Sequence, residues 1–286
     1  MTYPYITKSV DLPGHCNISY IDEGTGPRTL IFVHGLANYA YVWCKNIDLL
    51  KKHYRCIAID LPGNGLSDRH SHKYSMAFFA ESINNFIEEL QLKNVTLVGH
   101  SMGGQVALTT LINHPKCADS LVLCAPAGFE RFSVLEKTMY YHTLTMLDFI
   151  SSDEHSLRKT IERSFFHTQP QMENMINELT GLMKTYKPNQ YRKMIEACIK
   201  SMLEDAVFDK LPQIKQPTLV LFGTQDALIP NKLIHPMSVE HLAKEGVKQL
   251  PYAFLEMIPD AGHFVQWEAA ETVNNSIYKF VNSLIA

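Results

Sequence analysis

Gly99-His100-Ser101-Met102-Gly103 constrains this chain more than any other segment, because it sets a serine in a G-x-S-x-G frame between two opposite kinds of local pattern. Val95-Thr96-Leu97-Val98, just before it, is an apolar, β-branched run of strand length; Gly104 to Ile112, just after it, reads as a helix. A residue at so sharp a strand-to-helix turn is crowded by backbone on both sides, and only small neighbours fit there. Gly99 and Gly103 supply that smallness. The new helix also directs its unpaired N–H groups and the positive end of its dipole at the same spot, where a developing negative oxygen would be stabilised.

A serine hydroxyl is a weak nucleophile at neutral pH. It needs a histidine base, and the histidine needs an acid to hold its tautomer. Pro217 to Gly223 reads as a buried strand and is followed by Thr224-Gln225-Asp226; Tyr252 to Ile258 reads as another and is followed by Pro259-Asp260-Ala261-Gly262-His263. Asp226 and His263 therefore both lie past the carboxyl ends of strands, where open α/β sheets collect their chemistry. Asp260 is a rival acid, but it stands too close to His263 in sequence to approach the ring from behind and reads as a turn residue. Thr29 to Val33 is a further strand, ending in His34-Gly35-Leu36-Ala37. Gly35 lets the backbone pass close to a substrate carbonyl, and the amides of Leu36 and Met102 are the expected pair of donors to an oxyanion. His70-Ser71-His72 lacks partners at metal-ligand spacing and no HExxH is present, so neither a metal nor any other cofactor is expected.

The segments His34-Gly35-Leu36-Ala37, Asp60-Leu61-Pro62-Gly63-Asn64-Gly65-Leu66-Ser67-Asp68, GHSMGG, LFGTQDALIP and AGHFVQWE, in that order and spacing, resemble the α/β-hydrolase superfamily. More narrowly they resemble its cap-bearing branch of esterases, lipases, C–C bond hydrolases, epoxide hydrolases, haloalkane dehalogenases and perhydrolases. The resemblance implies a triad of Ser101, Asp226 and His263, an oxyanion hole at Leu36 and Met102, and structural roles for Gly35, Gly99 and Gly103. It covers the body of the chain and leaves out the middle.

Strand and helix patterns alternate along most of the sequence: Tyr54 to Asp60 a strand, Ser75 to Leu90 a helix, Ser120 to Cys124 a strand. A C-terminal helix carries Val273, Ile277, Phe280, Val281 and Leu284 on one face. Such alternation implies an α/β fold with a mostly parallel, doubly wound sheet. From Phe129 to about Asp205 the strand pattern stops. Met172, Met175, Ile176, Leu179, Leu182, Met183 and Tyr186 trace one helix face, and Tyr191, Met194, Ile195, Cys198 and Met202 another. The expected organisation is a core domain of residues 1–128 and 206–286 with a helical cap at 129–205. Seven of the twelve methionines fall in that cap, either as packing against the core or as an adaptable apolar wall of a substrate pocket.

A formal charge of −3 with acids and bases interspersed leaves no basic stripe, which argues against a nucleic-acid partner. Six cysteines show no paired spacing, no apolar run is long enough to span a membrane and no signal-like segment opens the sequence, so a cytoplasmic location is expected. The chemistry narrows further at the nucleophile. Dehalogenases and epoxide hydrolases attack carbon with a carboxylate, giving an ester that water cleaves; a serine would leave an ether with no carbonyl to attack. Acyl transfer on a small, hydrophobic ester is the expected reaction. Two alternatives stay open: C–C hydrolysis of a vinylogous diketone, suggested by Gly262-His263-Phe264-Val265-Gln266-Trp267-Glu268, and a slow-turnover receptor on the same fold. For the former, Arg163 or Arg192 are candidate polar cap residues, while Trp267 either borders the pocket or anchors the core. Asn38, Tyr39, Trp43 and Phe129 either reach the pocket or pack.

Overall fold

The structure, a computed structural model, describes residues 1–14, 16–69, 73–146, 154–167, 170–187 and 189–284. His70-Ser71-His72 lies outside them. Eight strands form one sheet: β1 (Thr7–Leu12), β2 (Cys16–Glu23), β3 (Thr29–Val33), β4 (Arg55–Ile59), β5 (Val95–His100), β6 (Ser120–Cys124), β7 (Thr218–Gly223) and β8 (Ala253–Ile258), in the order β1-β2-β4-β3-β5-β6-β7-β8. From β4 to β8 every neighbouring pair is parallel. β1 and β2 form an antiparallel edge that the sequence reading did not anticipate, and β2 pairs antiparallel with β4. All residues of β3, β5, β6 and β7 are buried, and their uninterrupted apolar runs follow from a sheet covered on both faces.

The covering helices are α1 (Cys44–Leu50), α2 (Met76–Glu89), α3 (Met102–Asn113), and, after the middle segment, α8 (Val239–Gln249), the single-turn α9 (Val265–Glu268) and α10 (Ala270–Ser283). α2 begins where the side chain of Ser75 accepts the amide of Phe78, an N-cap that spares one orphan donor. In α10, Val273, Ile277, Phe280 and Val281 are buried as their spacing requires. The chain leaves β3 for β4 on one side and later returns to β5 on the other, so the strand order reverses between β4 and β5. A crevice opens at the carboxyl ends of strands at such a point.

Between β6 and β7 there are no strands among the described residues. That stretch holds α4 (Val134–Met146), α5 (Glu154–Arg163), α6 (Pro170–Met183) and α7 (Gln190–Glu204). Met172, Met175, Ile176, Leu179 and Leu182 of α6 and Tyr191, Met194, Ile195 and Cys198 of α7 are buried, as their periodicity requires. All six cysteines are free thiols, and burial raises the pKa of Cys56 to about 12 and that of Cys124 further. No helix among the described residues is long and apolar enough to cross a membrane.

Candidate active site

Ser101 follows β5 directly and holds φ 54° and ψ −122°, a conformation that a non-glycine residue adopts only where its surroundings over-determine it. The surroundings here are main chain. The Ser101 amide donates to the carbonyl of Cys124 on the adjacent strand at 3.1 Å, while the Ser101 carbonyl accepts from Gly104 and Ala127. A Cβ on Gly99 would lie 2.5 Å from the Gly103 carbonyl oxygen, and one on Gly103 would lie 2.3 Å from that of Val33. Neither position admits a side chain. At Gly35 a Cβ would come within 3.0 Å of the Ser101 Cβ, which is how closely the β3 loop runs past the serine.

His263 sits five residues past β8 and Asp226 three past β7. The His263 Nδ1–H donates to Asp226 Oδ2 at 2.9 Å, leaving Nε2 to accept the Ser101 Oγ–H at 2.9 Å. Asp226 is fully buried, yet its charge is well supported: Oδ1 also accepts the amides of Leu228 and Ile229 at 2.8 and 3.0 Å. The structure thus brings together the three side chains singled out in the sequence. Asp260, the rival acid, lies exposed in a turn with φ 54°. Met102 is the first residue of α3, where an amide has no intrahelical partner, and Leu36 borders the cavity above Ser101.

That cavity measures about 580 Å³ and is lined by Ser101 and His263 on the sheet side and by residues such as Ile161, Leu179, Ile195 and Met202 from α5, α6 and α7. Its lining is mostly apolar. Among the methionines of α4–α7 whose side chains are described, only Met202 borders it; Met172, Met175 and Met194 are buried in packing. Asn38 borders it too, whereas Tyr39, Trp43 and Phe129 are core residues. Arg163 and Arg192 both reach its wall. Trp267 does not; its buried ring carries the ammonium of Lys45 4.6 Å from its centre.

Sequence reasoning passed over several neighbours. His100 is buried beside the serine, donates from Nε2 to the carbonyl of His263 at 3.0 Å, and is held well below the ordinary histidine pKa by burial. Buried His34 donates from Nδ1 to the Gly35 carbonyl and accepts the Leu61 amide at Nε2; burial lowers its pKa to about 4. Asp60, from the conspicuous Asp60–Asp68 segment, accepts the Tyr3 hydroxyl and the amides of Ala40 and Leu66, and burial raises its pKa to about 6. Glu130 borders the cavity and accepts from His235 Nδ1 at 2.9 Å. The histidines and Asp60 lie within motifs already quoted, so position offered a signal; Glu130 had none.

A family model described as alpha/beta hydrolase fold matches residues 28–270. The chain is 26% identical over 267 residues to the uncharacterized hydrolase YugF of Bacillus subtilis, covering 91% of this chain and 92% of that one. It is also 26% identical over 287 residues to epoxide hydrolase 2 of Caenorhabditis elegans, covering 92% and 76%. Among solved structures, the esterase EaEST of Exiguobacterium antarcticum superposes with a TM-score of 0.81 at 23% identity, covering 97% of this chain and all of that one.

Proposed function

Because this chain belongs to the alpha/beta hydrolase fold family, we propose that it is a serine hydrolase that cleaves small, hydrophobic carboxylic esters through an acyl-enzyme on Ser101. The observation that carries this reading is the hydrogen-bonded series Asp226–His263–Ser101 opening on an apolar cavity. His263 Nε2 takes the Ser101 proton as Oγ attacks the ester carbonyl. The resulting imidazolium is balanced by Asp226, and the amides of Leu36 and Met102 receive the oxyanion. The imidazolium then gives its proton to the departing alkoxide, leaving the acyl group on Oγ. Water, deprotonated by the same nitrogen, repeats the sequence and releases the acid. We take α4–α7 as a lid whose inner wall selects the acyl or alcohol part. The likeness to an epoxide hydrolase does not extend to its chemistry, since alkylation of Ser101 would end in a stable ether.

Hydrolysis of p-nitrophenyl esters of increasing acyl length, with Ser101→Ala alongside, tests the proposal. Multiple turnover peaking at one chain length is expected, with kcat lower by roughly 10⁴-fold or more in the variant. Near-normal turnover by Ser101→Ala would refute it. Very slow turnover with ligand-induced stabilisation would instead favour a receptor. Arg163 and Arg192 at the cavity wall favour one further reading, C–C hydrolysis of a vinylogous diketone bearing an anionic group. Cleavage of such a diketone with no ester turnover would replace the first reading by this one.

A further inference from the structure

Glu268 ends the Gly262–Glu268 segment, and nothing in the chemistry above gives it a role. Its two carboxylate oxygens face two different parts of the molecule. Oε1 accepts the amide of Gly262, next to the base, at 2.9 Å; Oε2 accepts the amide of Phe166, in the turn between α5 and α6, at 2.9 Å. Two further contacts join the same two pieces. The amide of His263 itself donates to the carbonyl of Ser164 at 2.8 Å, and the ring of Phe165 stacks on that of Phe264 with centroids 4.8 Å apart and planes 19° apart. The fit leaves no slack: a Cβ on Gly262 would stand 2.7 Å from the Phe166 nitrogen and 2.8 Å from the Ser164 oxygen. Phe264 in turn lies 5.1 Å from the ring of His100, which touches His263. The turn that grips the base also borders the cavity through Ser164, continuing the wall that Ile161 and Arg163 form at the end of α5.

We infer that Glu268 is a positioning residue that fastens the α5–α6 turn to the His263 loop, so that seating this wall of the cavity and aligning the base are one event. The inference rests on the reading of His263 as the base of Ser101. A carboxylate suits the task because each oxygen accepts an amide from one partner. A glutamine keeps the shape but must turn its NH₂ toward one of the two donors, freeing either the turn or the loop.

The test compares wild type with Glu268→Gln, using p-nitrophenyl acetate and the deshielded proton-NMR signal of His263 Nδ1–H shared with Asp226. The expected variant keeps a cooperative unfolding transition, loses or broadens that signal, and falls about 10- to 100-fold in kcat with far less change in KM, as a misplaced catalytic group does. A folded Glu268→Gln with the signal and kcat of wild type would overturn the inference, since a merely structural bond lowers the unfolding midpoint and moves neither. If Glu268→Gln does not fold, Phe165→Ala loosens the same turn, and the same pair of readouts decides. Ser101→Ala in the same assay keeps the two questions apart: wild-type turnover independent of Ser101 would refute the nucleophile, whereas the Nδ1–H signal reports the placement of His263 without any substrate.

Discussion

The floor and the roof of the cavity are built by different means. On the floor, main chain fixes the side chains of the proposed site: Ser101 is held by a strand carbonyl, and Gly103 lies so close to Val33 that no side chain fits between them. Asp226 is oriented by two amides of its own loop. The roof, α4–α7, meets the cavity with side chains, and the unbranched Met172, Met175 and Met194 take part in its packing, where they can fill irregular gaps. Backbone geometry leaves few alternatives, whereas methionine packing leaves many. On the proposed reading the floor is therefore where the reaction is specified, and the roof, away from the α5–α6 turn that holds the His263 loop, is where a substrate range can change without disturbing it.

Asp226→Asn strikes the floor hardest. An asparagine can keep its oxygen on the amides of Leu228 and Ile229, but its NH₂ then faces His263 Nδ1 and favours the tautomer with hydrogen on Nε2. That nitrogen can no longer accept the Ser101 proton. The corresponding change in the serine hydrolase trypsin lowers kcat by about 10⁴, and the same order is expected here in ester turnover at saturating substrate. A loss under about tenfold would mean that the floor does not set the chemistry in this way, and the contrast with the roof would collapse.

The difference between the regions also explains what the sequence disclosed. Gly99, Gly103 and Gly35 are required by close backbone approach, and glycine leaves a visible mark in a sequence; strand ends are marked by the close of an apolar run. That Ser101, Asp226 and His263 come together was legible for that reason, as were the faces of α6 and α7. The β1–β2 edge was not, because a strand such as Thr7–Leu12 is half exposed and mixes polar residues with apolar ones. Which residues of α4–α7 reach the cavity was illegible for a related reason. Met175 and Met202 have the same periodic credentials, yet one is wholly buried in packing and the other borders the cavity. That distinction depends on how four helices settle against one another. The grip of Ser164 and Phe165 on the base loop is likewise a long-range pairing with no local signature.

Within the roof, Met175→Ala should cost about 2–5 kcal/mol in chemical denaturation, the range for truncating a buried methionine, while leaving kcat for a short ester within about twofold of wild type. A large fall in kcat would show that packing within α6 reaches the floor, beyond the α5–α6 turn that already touches it. His34 probes the floor by pH. Its folded pKa of about 4 lies below the ordinary 6.5, so protons bind the unfolded chain first and its contribution to stability is lost as pH falls from 6.5 toward 4. Asp60, raised from 3.8 to about 6, works in the opposite sense over much of this window, and its contribution is lost as pH rises. Comparing wild type with His34→Gln isolates the histidine. The stability gap between them should be larger at pH 7 than at pH 4 by about 3 kcal/mol. A gap independent of pH would mean that His34 titrates alike in both states and that this part of the floor is less tightly closed than its burial implies.

Met202→Ala carries the smallest expected effect and divides the roof within itself. Shortening a side chain at the cavity wall adds room where an acyl or alcohol chain would lie, and an added methylene in an apolar pocket changes discrimination by about tenfold or somewhat more. The optimum of the p-nitrophenyl series should move to longer acyl chains, with kcat/KM for the next longer ester rising up to about tenfold relative to the wild-type optimum. Met175→Ala, assayed beside it, should keep the wild-type optimum despite its larger loss of stability. That crossed result would separate the methionines that hold the roof together from the one that shapes what enters. An unchanged optimum in Met202→Ala would remove substrate selection from this wall and leave it to residues nearer the floor, such as Leu36 and Asn38 on the β3 loop.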